Sequence, residues 1–68
     1  MIDPKKKLEE CARALETCTD DNRREALQNL RDIWEAIEKD KAAGKSDWQA
    51  DAEIVEEFHA QVLWPGTP

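Results

Sequence analysis

The stretch DDNRREALQNLRDIWEAIEKDKAAG, residues 20–44, decides the fold. Its apolar positions, Ala26, Leu27, Leu30, Ile33, Trp34 and Ile37, recur at three- and four-residue steps. On a helical wheel they occupy a sector of about 120°, the signature of one buried helix face. Asp20 and Asp21 stand where a helix N-terminus favours negative charge, and Gly44 supplies the residue type that most readily ends a helix in the left-handed conformation. The spacing predicts a helix over about 20–43. Lys41 takes the next place on the stripe, so apolar coverage stops a turn before the helix does.

Toward the N-terminus, Asp3-Pro4 reads as a cap followed by proline at the first helical position. Leu8, Cys11, Ala12, Leu15 and Cys18 then form a narrower stripe. It fails at Thr17, Thr19, Asp20 and Asn22, residue types that favour caps and turns, which predicts a first helix over about 4–18. Toward the C-terminus, Ser46-Asp47-Trp48-Gln49 matches the capping-box pattern. Trp48, Ala52, Val55, Phe58, His59, Val62 and Leu63 share one face beyond it, with Ile54 at the border, predicting a third helix over about 47–64. Trp64-Pro65-Gly66-Thr67-Pro68 stops that helix and leaves a short unhelical tail at 65–68. The chain therefore reads as one all-α domain, residues 1–68, folded as an up-down-up bundle of three helices. Because a core this small supplies little stability, association as a homodimer is a second expectation. Two helical hairpins that dimerise are the alternative architecture.

Charge is distributed unevenly. Residues 46–68 carry five acids and no base, whereas residues 1–45 carry eleven acids and ten bases, so the net charge of −6 divides as −5 and −1. An acidic chain lacks the clustered bases that neutralise phosphates, and a third helix with five acids would be repelled from DNA. Direct nucleic-acid binding is not expected. Imitation of phosphates by these acids, occupying a nucleic-acid-binding protein, is one form of partner contact they allow. The longest apolar run is Val62-Leu63-Trp64, too short to span a bilayer, and the opening Lys5-Lys6-Lys7 has no apolar run behind it. No membrane association is expected, and the cytoplasm is the expected compartment. The lysines have pairing partners one turn on, Lys5 with Glu9 and Lys6 with Glu10.

Cys11, Cys18 and His59 are the sharpest chemical candidates. Seven residues along one helix separate the two cysteines by about 10.5 Å, beyond the roughly 7 Å a disulfide spans, so two free buried thiols are expected. A structural zinc site wants four ligands in close-spaced pairs; with no further His or Cys, no metal site is assigned. A Cys–His nucleophile also needs an oxyanion site in a concave scaffold, so no catalytic residue and no cofactor are assigned. For His59 the expectation is an imidazole at the core edge, bonded to a carbonyl or a neighbouring acid. Glu53, Glu56 and Glu57 lack the glycine-bearing loop of a calcium site. Of the tryptophans, Trp34 and Trp48 lie on stripes and are assigned to the core. Trp64 projects off the stripe, to serve as an interface anchor or to fold back over the bundle end. The functional expectation is a non-enzymatic adaptor, regulator or inhibitor. It would meet a protein with a basic surface through Glu53, Glu56, Glu57 and Trp64. The alternative is a self-assembling bundle, joined through the small-residue face of the first helix at Cys11, Ala12 and Ala14.

Overall fold

The computed structural model describes residues 2–64. It contains three helices, α1 (Pro4–Thr17), α2 (Asp21–Ala42) and α3 (Trp48–Leu63), forming the small three-helix bundle expected. The unhelical tail predicted at 65–68 lies outside the described residues. No helix is long and apolar enough to cross a membrane among the described residues.

Helix α1 starts as the sequence indicates: the Asp3 carboxylate accepts from the Lys5 amide at 3.1 Å, with Pro4 at the first helical position. At the next turn the Asp20 carboxylate accepts from the Asn22 amide at 2.9 Å and opens α2. Arg24 Nη2 donates to the Cys18 carbonyl at 2.8 Å and holds the turn shut. Helix α2 ends in a double closure around Gly44 at φ 82°. The Gly44 amide donates to the Lys41 carbonyl at 3.1 Å and the Lys45 amide to the Asp40 carbonyl at 3.0 Å. That pair of bonds satisfies carbonyls a helix end otherwise leaves unpaired.

The capping box predicted for α3 is not formed. The cap is Asp47, in helical geometry at φ −75° and ψ −13°, and no side chain closes onto the first amides. A side-chain cap needs an extended cap residue so that its oxygen folds over the next turn. The chain instead enters α3 through a bend.

Helix α2 is the central element and packs on both neighbours, while α1 and α3 meet at few positions. The core gathers Cys11 from α1, Leu30, Trp34 and Ile37 from α2, and Trp48 and Ala52 from α3, with Ile2, Leu8, Val55, Val62 and Leu63 around it. Trp34 and Trp48 are buried as expected. Lys41, last on the α2 stripe, covers Trp48 with its ammonium 5.4 Å from the ring centre, so the core continues under a cation–π contact. Three stripe members differ from expectation. Ala12 is exposed, Ile33 is 40% exposed and Phe58 is 43% exposed. For Ala12 on α1 and Phe58 on α3 the reason is the sparse contact between those helices: with one central neighbour, a helix buries a narrower sector than two neighbours would cover, whereas Ile33 stands at the edge of the α2 stripe.

Candidate functional site

Where α1 and α3 part, a groove of about 680 Å³ opens to solvent. Lys6, Lys7 and Glu10 line it from α1, and Trp48, Glu53 and Glu56 from α3. Asp3 stands at its edge, so the charged lining comprises four carboxylates (Asp3, Glu10, Glu53, Glu56) against two ammonium groups, a formal −2. Glu53, Glu56 and Glu57 also border a shallower hollow with Ala60 on the outside of α3. The three glutamates singled out from the sequence thus share one continuous surface, with Glu53 and Glu56 turned toward α1.

In the core beside the groove, one residue joins all three helices. His59 is fully buried. Its Nδ1 accepts from Trp34 Nε1–H at 3.1 Å, and its Nε2 lies 3.0 Å from Glu10 Oε2. An indole N–H can only donate, so Nδ1 carries no proton. The proton is on Nε2 and is donated to the Glu10 carboxylate. Cys11 Sγ lies 3.8 Å from the same Nδ1, a weak second donor. The Trp34 ring meets the imidazole edge-on at a centroid distance of 5.8 Å, and the Trp64 ring does so from another side at 5.9 Å.

Burial lowers the His59 pKa below its ordinary 6.5, and the Glu10 hydrogen bond only partly opposes it. Burial also pushes the Cys11 thiol up to about 11, with the Glu10 carboxylate adding to the effect. A thiol so buried is neither a ready nucleophile nor a ready metal ligand. Cys18 lies apart at the α1–α2 turn, its Sγ bonded to the Asp20 carbonyl at 3.3 Å, and both cysteines are free. Among the described residues no group of three or more His, Cys, Asp or Glu is placed to hold a metal ion.

The expectation for His59 was an acid or carbonyl partner. The structure supplies the acid, Glu10 from α1, and adds the Trp34 indole. Glu10 is thereby drawn away from the helical pairing with Lys6 that its spacing suggested; its carboxylate instead accepts the Nε2–H of the neutral His59. Trp64 turns out of the helix at φ −127° and ψ 62°, so its wheel position does not describe where it points. It packs against His59 while 53% of its surface stays exposed. On the small-residue face of α1, Cys11 is fully buried, Ala14 is half-buried and Ala12 is exposed. Glu10 and the Trp34–His59 bond were the members that sequence reasoning missed. A lone histidine on an apolar stripe was the available signal, since a buried imidazole needs partners for both nitrogens.

Comparison with protein families, curated proteins and solved structures gives no match for this chain.

Proposed function

We propose that this chain is a non-enzymatic binding protein whose partner presents a basic segment to the groove between α1 and α3 and to the adjoining acidic face of α3. The observation that carries the reading is the groove itself, a solvent-open channel with Trp48 in its lining and a carboxylate excess from Glu10, Glu53 and Glu56. Acids at a rim steer encounter and select the partner, while Trp48, buried in the core, serves as the floor of the groove. Trp64, half-exposed at the C-terminal end of α3, is the aromatic anchor this reading assigns. The lysines on the α1 wall fix orientation: bases of the segment face α3, and acids or amides of the segment face Lys6 and Lys7.

Replacing Glu53, Glu56 and Glu57 together with Gln removes three charges without altering side-chain size. Proteins retained by the wild-type chain from its source extract are expected to be basic at the contact. They should be retained at least about tenfold less by the variant, and released by salt, as screened charge pairs require. An unchanged set of retained proteins would sink the proposal.

A further inference from the structure

We propose that His59 is a proton sensor for the groove, acting through Glu10: a proton on its imidazole weakens the groove's hold on a basic segment, and a bound segment keeps the proton off. The inference rests on the basic partner proposed above and adds a control to the same site.

Glu10 faces two ways. Its side chain is 38% exposed and lines the groove, while its Oε2 accepts from the fully buried His59 Nε2–H at 3.0 Å. One carboxylate thus stands between the charges of a bound segment and the imidazole. The other charged groups that act on His59 are Lys7 of α1 and Glu56 of α3, and both also line the groove. From α2 the imidazole meets the uncharged Trp34 indole, and the Arg31 guanidinium of that helix acts on the neighbouring Cys11. Cys11 itself, its pKa pushed up to about 11, stays a thiol throughout. The Trp64 ring adds no charge. The charges felt at His59 are those of the groove wall.

Protonation changes that wall in two ways. The new proton on Nδ1 faces the Trp34 N–H, donor against donor, which leaves Glu10 as the one charged acceptor of the imidazolium. Their charge-assisted bond engages the carboxylate that a basic segment would otherwise meet. It also sets a positive charge directly behind the groove, where a buried pair is screened little by salt. The effect is mutual by linkage. A lysine or arginine on the groove side of Glu10 and Glu56 disfavours the imidazolium by the same factor by which the proton weakens the segment. Burial keeps His59 neutral at neutral pH, so affinity is full there and falls on acidification.

His59 is the sole histidine of the chain, so the imidazole resonances of the isotope-labelled full chain report one site. Nuclear magnetic resonance follows them on acidification from about pH 7.5 until the chain unfolds, free and saturated with octalysine. The amides of Lys7, Gln49 and Glu56 report whether the groove is occupied. His59 is expected to take its proton while the chain is folded. With octalysine bound it should do so at least about 0.5 pH units lower, matching an affinity loss of about threefold. Glu10→Gln keeps an acceptor for Nε2–H without the charge and should at least halve that difference. Groove amides that shift while His59 titrates at an unchanged pH overturn the sensor and leave the groove reading standing. Groove amides that do not shift overturn both. An imidazole that stays neutral until unfolding, or a difference undiminished in Glu10→Gln, also overturns the sensor.

Discussion

His59 concentrates the chemistry of this chain into one side chain that touches α1, α2 and α3. The hydrogen bond from Trp34 can form only while Nδ1 is bare, so protonation would set two donors against each other in a buried site. Trp34→Phe keeps an aromatic ring but leaves Nδ1 with only the weak Cys11 donor. It should cost about 1–3 kcal/mol in urea unfolding. The pH dependence follows from the depressed pKa of His59, which is surrounded by Glu10, Lys7 and Glu56. The unfolded imidazole takes its proton near 6.5 and the folded one only at lower pH. Protons therefore favour the unfolded chain in that interval. The stabilisation is fully present above about 6.5 and is lost as the pH falls toward the folded value, with a slope of at most about 1.4 kcal/mol per pH unit. Unfolding free energies of the wild type and His59→Gln, compared between about pH 7.5 and pH 5, should converge as the solution is acidified. A constant gap would count against the buried neutral imidazole.

At the scale of the helices, local signals and tertiary packing can be separated. The caps of α1 and α2 and the Gly44 stop were legible because each depends on a few neighbouring residues. The start of α3 was not, because the bend that follows the Gly44 closure delivers Asp47 already in helical geometry. Ser46→Ala should therefore change stability by less than about 0.5 kcal/mol, whereas Asp20→Ala should cost about 1 kcal/mol through loss of its bond to the Asn22 amide. Gly44→Ala meets no neighbouring atom within 4 Å, so its cost is the left-handed backbone alone. That cost is about 1–2 kcal/mol, and thermal melts of the three variants should rank them in this way. An Ser46→Ala variant as damaged as Asp20→Ala would restore the capping box.

For the molecule as a whole, three apolar stripes and two stop signals sufficed for the bundle and for the burial of Trp34 and Trp48. What they did not reveal was how unequally the helices pair. Periodicity reports that a helix has a buried face, not how many neighbours cover it, so Phe58 and Ile33 were read as core although α2 and α3 leave them partly in water. The same limit hid the site. Glu53, Glu56 and Glu57 were legible as an acidic face, but the opposing wall with Lys6, Lys7 and Glu10 comes from residues more than forty positions away. The central claim is that this groove is where a basic partner docks. Photo-crosslinking in the source cell tests it most directly, with a reactive side chain placed at Gln49 in the groove or at Glu25 on the exposed side of α2. The account predicts that Gln49 captures a protein through a lysine- or arginine-rich segment, that Glu25 does not, and that changing Glu53, Glu56 and Glu57 to Gln abolishes the capture. Capture at Glu25 with none at Gln49, or capture at Gln49 indifferent to the three glutamates, would contradict it.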